Sequence, residues 1–247
     1  LQTVFQFLDY SDELSFKLLN SSELKHANPL PGVPAEDDLT IRAARLLQQY
    51  SNCQQGVEIS IKKRLPMGGG LGGGSSDAAT TLVALNQLWQ LEITVNELVQ
   101  LGIQLGADVP VFIQGVAAWA EGIGEKISPI QLSEPYFLIL IPQVSVSTAQ
   151  IFSSPLLSRN CKPISREQFL SGEGGNVCEA VVCELYPQVA QAMQWLNEYA
   201  QARMTGTGAC VFAPFSTQEE ALDVFSKKPA YLSGFVAKGL NVSPLYA

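Results

Sequence analysis

The sequence predicts a fold that mixes helices and strands, of the α/β or α+β class. Strand-like and helix-like segments alternate along the chain, and a very glycine-rich loop separates one such strand from one such helix. The 247 residues, of which 47% are hydrophobic and 15% charged, suffice for one large or two small domains with real cores. Neither disulfides nor structural metals are needed to explain folding.

The first elements follow from short apolar patterns. Apolar runs bounded by polar turns predict strands, and apolar residues at helical spacing behind an acidic cap predict a helix. In order, these predictions are strands at Thr3 to Phe7 and Leu14 to Leu18, a loop over 20–37, a helix from Leu39 to Tyr50 capped by Asp37 or Asp38, and a strand from Val57 to Ile61.

Two helix starts are marked after the glycine-rich loop. Ser75 or Ser76 is the expected cap of a helix that runs to about Trp89, and Thr94 with Glu97 forms a capping-box pattern for a helix ending near Leu105. The later predictions are a helix start near Pro110, strands at Ala117 to Gly122 and Phe137 to Ile141, a loop over 153–175, a helix from Ala190 to Ala200, a glycine-bearing segment from Met204 to Phe215, a helix from Glu219 to Phe225 and a strand within Gly234 to Val242. A domain boundary is predicted near residue 135, between 1–134 and 135–247.

Charge and cysteine content exclude several classes of protein. The net charge of −8 gives no basic face for nucleic acid, so any anionic ligand must be held by local groups. The five scattered cysteines favour a reducing, cytoplasmic location over a disulfide framework. No apolar run is long enough to span a bilayer, so no membrane partner is expected. The oligomeric state is left open.

The loop from Pro66 to Ser76 is the most informative segment. It holds six glycines in eleven residues and lies between a strand and a helix. Glycine permits positive φ and lets the backbone approach a ligand closely. Backbone N–H groups and a helix N-terminus together form an anion site, so the loop predicts phosphate binding. A flexible linker is the alternative, but linkers seldom lie between a strand and a capped helix.

Two kinds of phosphate-binding loop compete for this segment. It is not the G-x-x-x-x-G-K-[ST] loop, because no lysine follows the glycines. Gly68, Gly70 and Gly73 fit the G-x-G-x-x-G pattern, which leaves a dinucleotide-binding oxidoreductase as a rival. That rival needs a second strand ending in an acidic residue, and Glu92 precedes a capping box instead. We therefore rank it below an ATP-binding kinase.

Four segments carry a family resemblance. They are Leu65 to Ala79, Leu105 to Phe112, Thr205 to Cys210 and Gly234 to Pro244. The first resembles the phosphate loop of the GHMP small-molecule kinases, and together they resemble the 4-diphosphocytidyl-2-C-methyl-D-erythritol kinases. The resemblance implies a two-domain α+β fold with mixed and antiparallel sheets and an active site between the domains. It also implies ATP and Mg²⁺ as cofactors and a small-molecule alcohol, phosphorylated at its 2-hydroxyl, in the non-mevalonate route to isoprenoids.

The same resemblance assigns roles to individual residues. Asp108 matches the catalytic aspartate, although the residues alone favour a helix N-cap at this position. Lys63 matches a nucleotide-side lysine, with a solvated strand edge as its alternative. The expected cofactor-binding residues are Lys63, Pro66, Met67, Gly68, Gly69, Gly70, Leu71, Gly72, Gly73, Gly74, Ser75, Ser76, Gly206 and Gly208. The expected substrate-binding residues are Gly106, Ala107, Asp108, Thr148 and Phe152, and no metal ligand is assigned.

The chain departs from the family pattern in two places. Asp38 stands where the family commonly has asparagine, and a carboxylate cannot donate a hydrogen bond to adenine as an amide does. The chain also opens at Leu1 within a strand-like run, without methionine. We therefore expect upstream residues to be missing, including a family lysine and asparagine, and the chain by itself to turn over poorly.

Overall fold

The computed structural model describes residues 2–122, 124 and 126–246. Helices and strands alternate along the chain, as the sequence predicts. Their order is β1 (Gln2–Phe5), β2 (Phe7–Leu8), β3 (Glu13–Leu19), β4 (Leu24–His26), α1 (Leu39–Ser51), β5 (Gly56–Lys62), α2 (Gly73–Leu88), α3 (Val95–Leu105), α4 (Val109–Gln114), β6 (Ala118–Glu121), β7 (Lys126–Pro129), β8 (Tyr136–Ile141), α5 (Thr148–Ser153), α6 (Arg166–Leu170), α7 (Glu179–Leu185), α8 (Pro187–Asn197), β9 (Arg203–Met204), β10 (Val211–Phe215), α9 (Gln218–Ser226) and β11 (Ser233–Leu240), with a closing 3-10 turn at Pro244–Tyr246.

Across the described ranges, the strands form three sheets that are mostly antiparallel. Their orders are β1-β6-β7, β3-β5-β4 and β2-β11-β8-β10-β9. The pairing of β4 with β5 is parallel, whereas the other strand pairs are antiparallel. This mixture of separate antiparallel sheets and helices is the α+β class that the family resemblance implies.

The first core lies between β5 and the helices α1, α2 and α3. Alternate residues of β5 face it, and Val57 and Ile59 are fully buried there. Leu47 of α1 and Leu82 and Leu85 of α2 close it from the other side. This packing fixes α2 against β5, and the glycine-rich loop is the connection between these two elements.

A second core covers the five-stranded sheet. Leu138 and Leu140 of β8 are buried against Val182 of α7 and Leu196 of α8. Strand β10 lies between β8 and β9, so the turn between β9 and β10 is held at the edge of this sheet. That turn holds Gly206 and Gly208, the glycines of the second glycine-bearing segment.

Several local predictions were wrong. The predicted strand from Thr3 to Phe7 is two strands that join different sheets, with Gln6 between them. The predicted loop 20–37 contains β4, which pairs in parallel with β5. The predicted loop 153–175 contains the short helix α6, which Ser165 caps. Parallel pairing depends on a distant partner, which local patterns do not report. The capping box of Ser165 and Gln168 at α6 is a local signal that the prediction overlooked.

The start of α2 also differs from the prediction. Gly72, not Ser75 or Ser76, is the N-cap residue, and its φ of +68° is left-handed. The helix therefore begins inside the glycine-rich loop. In contrast, the capping box of Thr94 and Glu97 at α3 is confirmed. Within the described ranges, none of the helices has the length and apolar character required to cross a membrane.

Candidate active site

The glycine-rich loop forms a concave backbone surface. Gly68, Gly70 and Gly72 have φ of +70°, +69° and +68°, so every second residue is left-handed. This alternation turns successive N–H groups toward one point, as in anion-binding nests. In the described part of the chain, no N–H of residues 68–72 donates to a protein acceptor, and α2 adds the unpaired N–H groups of its first turn. The loop is thus built to receive an anion.

The segment after β9 closes on this loop. Thr205 Oγ1 donates to the carbonyl of Gly69 at 2.8 Å, and Cys210 N–H donates to the same carbonyl at 3.2 Å. A Cβ added at Gly70 would lie 2.7 Å from Thr205 Oγ1 and 2.8 Å from the carbonyl of Gly208. The two glycine-bearing segments therefore touch through backbone, which explains why no side chain fits at Gly70.

A cavity of about 340 Å³ opens in front of the loop. Its lining combines the glycine loop with the start of α1 and with an apolar wall. The lining residues are Leu30, Val33, Asp37, Asp38, Leu39, Thr40, Ile61, Lys63, Pro66, Met67, Gly68, Gly69, Gly70, Leu71, Gly72, Gly73, Gly74, Ser75 and Asp77. Most of the expected nucleotide residues therefore share one cavity, and Lys63 is its only cation among the described lining residues.

Lys63 lies between two buried carboxylates. Its Nζ forms ion pairs with Asp12 and, at 3.0 Å, with Asp77. The other oxygen of Asp12 accepts from the N–H groups of Arg64 and Leu65 at 2.6 and 2.9 Å. Asp12 thus fixes the chain just before the glycine loop. The solvated strand edge considered for Lys63 is wrong, because this side chain is only 18% exposed.

Burial shifts the pKa of Lys63 and the pKa of Asp77 in opposite directions. Burial alone would lower the pKa of Lys63, but hydrogen bonds and charges of the two aspartates raise it, so Lys63 stays charged. Burial raises the pKa of Asp77 to about 6, because the Asp12 charge opposes the lowering effect of Lys63. One ammonium is shared by two carboxylates, so the cluster retains a negative charge when both are ionised.

Asp108 faces the glycine loop from the start of α4. It occupies the N-cap position, but its side chain makes no capping hydrogen bond in the described structure. Instead, Ser75 Oγ donates to Asp108 Oδ1 at 2.7 Å. A Cβ at Gly72 would lie 3.6 Å from Asp108 Oδ2, so this half-buried carboxylate borders the loop. Ser75 thus connects the phosphate loop to the expected base.

Asp38 is engaged at the other end of the cavity. Its Oδ1 accepts from the Thr40 N–H at 2.8 Å and hydroxyl at 2.6 Å, and its Oδ2 lies 3.0 Å from His26 Nε2. Burial alone would raise the pKa of Asp38, but hydrogen bonds from Thr40 and His26 outweigh it and lower that pKa. Asp38 is therefore a charged helix cap, and His26 is its buried partner.

The remaining expected residues are not among those that line the cavity. Thr148 Oγ1 is 2.9 Å from Thr207 Oγ1, which places the start of α5 beside the turn that holds Gly206 and Gly208. Phe152, also on α5, is 46% exposed. Gly106 and Ala107 precede Asp108, and Ser76 is not among the residues that line the cavity.

Sequence reasoning missed three residues that build this site. Asp12 and Asp77 hold Lys63, and Thr205 binds the glycine loop. Asp77 had a recognisable signal, because it is the single charged residue in the otherwise uncharged sequence of α2. Asp12 had none, since its contacts lie 51 to 53 residues away along the chain.

Comparison with known proteins assigns a family to this geometry. Sequence profiles described as the GHMP kinases N terminal domain and the GHMP kinases C terminal match residues 38–116 and 155–232. The 4-diphosphocytidyl-2-C-methyl-D-erythritol kinase of Nitrosococcus oceani is 56% identical over 245 residues, which are 99% of this chain and 88% of that protein. The chain belongs to the 4-diphosphocytidyl-2-C-methyl-D-erythritol kinase family of GHMP kinases. The enzyme of that name from Shewanella halifaxensis is also 56% identical, over 99% of this chain and 87% of its own length.

Solved structures agree with the membership in this kinase family. A crystal structure of 4-(cytidine 5'-diphospho)-2C-methyl-D-erythritol kinase matches with a TM-score of 0.83 and 28% identity, and covers 96% of this chain and 89% of that one. The mevalonate kinase of Methanococcus jannaschii matches with a TM-score of 0.73 at 16% identity, over 97% and 92% of the two chains, which shows a shared fold. The dinucleotide-binding rival is wrong, since α2 is followed by α3 and not by a strand.

Proposed function

We propose that this chain catalyses transfer of the γ-phosphoryl group of ATP to the 2-hydroxyl of 4-diphosphocytidyl-2-C-methyl-D-erythritol. One observation carries the proposal. The helix α2 begins in the glycine loop and its residue Ser75 holds Asp108 at 2.7 Å. The phosphate cradle at the start of α2 and the carboxylate base at the start of α4 are thereby joined by one hydrogen bond. The names of the relatives supply the substrate.

The phosphates of ATP fit the glycine loop. Each N–H bond to a charged phosphate oxygen contributes about 1.5–3 kcal/mol, and the N-terminus of α2 adds about 0.3–1 kcal/mol. The apolar side chains of Leu30, Val33 and Leu39 form a wall for the adenine ring at the other end of the same cavity. Lys63 supplies the only positive side chain on the described lining and is held there by two carboxylates.

Asp108 is the proposed general base. Its Oδ1 accepts from Ser75, which leaves Oδ2 beside Gly72 to accept the proton of the attacking hydroxyl. Phosphoryl transfer depends mainly on positioning and charge stabilisation, so orienting this hydroxyl is part of the same role. The substrate would lie between Asp108 and the α5 residues Thr148 and Phe152, where an exposed aromatic ring is available to stack on cytosine.

Mg²⁺ is proposed as the second cofactor because it neutralises the charge that develops on the transferring phosphoryl group. The described residues contain no cluster of three or more His, Cys, Asp or Glu side chains that could hold a metal ion. Proteins commonly bind Mg²⁺ through substrate phosphates and water with one or two carboxylates. An ion delivered by ATP is consistent with this site, and we assign it no protein ligand.

The deciding experiment measures ADP release from Mg·ATP and 4-diphosphocytidyl-2-C-methyl-D-erythritol by the full-length gene product. Asp108→Asn keeps the size of the side chain and its contact with Ser75 but removes the base, so kcat should fall at least about 100-fold. Asp223→Asn is the matched control, since this aspartate is exposed on α9 and forms an ion pair with Lys227. Its kcat should equal that of the unmodified enzyme.

Two outcomes would overturn the proposal. Undiminished kcat in Asp108→Asn would remove Asp108 as the base. ADP release that depends on another alcohol, such as homoserine, mevalonate or galactose, and not on the diphosphocytidyl substrate would make the chain a GHMP kinase of different specificity.

A further inference from the structure

The nucleotide cavity has the wrong sign of charge for its ligand. Asp12 and Asp77 are 2% and 6% exposed, and they share the single ammonium of Lys63. Asp37 and Asp38 line the same cavity and add negative charge. The phosphates of a nucleotide would therefore enter beside an acidic cluster that has one cation for two buried carboxylates.

The two carboxylates in this cluster are not equivalent. Asp12 accepts from two backbone N–H groups in addition to Lys63, so its charge is fully compensated by donors. Asp77 has Lys63 as its hydrogen-bond donor, and the charge of Asp12 opposes its ionisation. When negative charge arrives at the glycine loop, Asp77 is the carboxylate that is easier to neutralise.

We propose that Asp77 is a positioning residue that takes up one proton from solvent when a nucleotide binds at the glycine loop. In its neutral form Asp77 no longer competes for the ammonium of Lys63, which is then free to turn toward the phosphates while Asp12 keeps its backbone contacts. The inference rests on the proposed function, because it requires the cavity to bind a nucleotide.

The charged groups around Asp77 support this assignment of the proton. Lys63 follows β5 and Asp12 precedes β3, and both act directly on Asp77. The glycine loop carries no charged side chain, and Asp108 reaches Ser75 from α4. The pKa of Asp77, already raised to about 6 by burial, rises further when phosphate charge approaches. Asp77 therefore takes up its proton on nucleotide binding at pH values just above its pKa of about 6.

The test measures the dissociation constant of ADP without Mg²⁺, in EDTA, from about pH 5.5 to about pH 8. ADP titrates in this range as well, so each variant is compared with the unmodified protein at the same pH. The ratio of the Kd of the unmodified protein to that of Asp77→Asn should rise at least about threefold as the pH increases, because only the unmodified protein must bind a proton. Lys63→Gln should move the midpoint of the dependence to higher pH.

Asp37→Asn is the matched control, because Asp37 is an exposed aspartate that lines the same cavity. The ratio of the Kd of the unmodified protein to that of Asp37→Asn should be independent of pH.

Calorimetry of ADP binding in two buffers of different ionisation enthalpy counts the protons taken up without any variant. We expect up to one proton to be taken up at a pH where ADP is fully ionised.

Each contrary result has a distinct meaning. ADP binding whose pH dependence is equal in Asp77→Asn and the unmodified protein, or no proton uptake in calorimetry, would overturn the role of Asp77 and leave the proposed function intact. An equal effect of Asp37→Asn would assign the dependence to the general field of the cavity. Absence of ADP binding at every pH would overturn the proposed function and this inference together.

Discussion

Gly70 is subject to two constraints that alanine cannot meet together. Its φ is +69°, and a Cβ there would lie 2.7 Å from Thr205 Oγ1. Gly32 has a similar φ of +76° but has nothing within 4 Å of an added Cβ. The two glycines form a matched pair. Alanine at Gly32 adds backbone strain alone, whereas alanine at Gly70 adds backbone strain and a steric clash.

We expect Gly32→Ala to lower the free energy of unfolding by about 1–2 kcal/mol, the cost of a left-handed alanine. Gly70→Ala should cost about 1–3 kcal/mol more, because overpacking displaces the Thr205 segment. It should also weaken ADP binding at least about tenfold, whereas Gly32→Ala should weaken it less. Urea denaturation and ADP titration measure both quantities. Equal effects of the two substitutions would contradict the close approach of the glycine segments.

At this scale the sequence predicted what is local. The glycine loop can be recognised from eleven consecutive residues, and Asp108 was selected from the motif of residues around it. The hydrogen bond from Ser75 to Asp108 could not be predicted, because it joins residues 33 positions apart and depends on how α4 packs against α2. The proposed roles of the site residues remain predictions until the variants are measured.

Among the elements, α1 depends on a cap that is itself paired. Asp38 accepts from Thr40 and Ile41 at the helix start and from His26 at the end of β4. The Thr40 hydroxyl donates its hydrogen bond to Asp38 Oδ1 and therefore has no hydrogen left for His26 Nε2. His26 Nε2 must then carry the hydrogen that faces Asp38 Oδ2. One carboxylate thereby joins a helix to a strand.

Asp38→Ala should therefore cost more than the loss of an ordinary cap. We expect about 2–4 kcal/mol, the sum of about 1 kcal/mol for the cap and about 1–3 kcal/mol for buried donors left unpaired. Asp38→Asn keeps a good N-cap residue and should cost about 1 kcal/mol, because it loses only the charged contact with His26. Chemical denaturation of both variants checks the order, and a cost of Asp38→Ala no larger than that of Asp38→Asn would show that the cap contacts of Asp38 do not stabilise α1.

Elements were predictable where a periodic pattern or a cap marked them. α1 and β5 were found from the spacing of their apolar residues, whereas α2 and α3 were found from expected caps, of which only that of α3 is confirmed. β4 was missed since three residues carry no period, and its strand conformation comes from pairing with β5. β1 and β2 were merged for a similar reason, because the change of sheet at Gln6 is decided by β6 and β11.

For the molecule as a whole, Asp77 links stability to pH. Its pKa is raised from 3.8 to about 6, so between these values the folded chain binds more protons than the unfolded chain. Stability must then fall as the pH rises through this window, and the loss is complete above it. Asp77→Asn removes this linkage.

We therefore expect Asp77→Asn to be more stable than the unmodified protein at neutral pH, by up to about 3 kcal/mol. The difference should shrink as the pH falls and vanish below about pH 4, where Asp77 is protonated in both states. Thermal denaturation across this range measures the effect. A variant that is less stable at neutral pH would mean that the ion pair with Lys63 outweighs the burial of Asp77.

The pairing of β2 with β11 has a consequence for synthesis on the ribosome. Asp9, just after β2, receives the N–H of Lys238 across 229 residues of chain, at 2.6 Å. At typical translation rates of about 5–20 residues per second, the partner of β2 leaves the ribosome roughly 10–50 s later. During that interval β2 has an unpaired edge that other nascent chains could occupy, so chaperone demand should concentrate on this short strand.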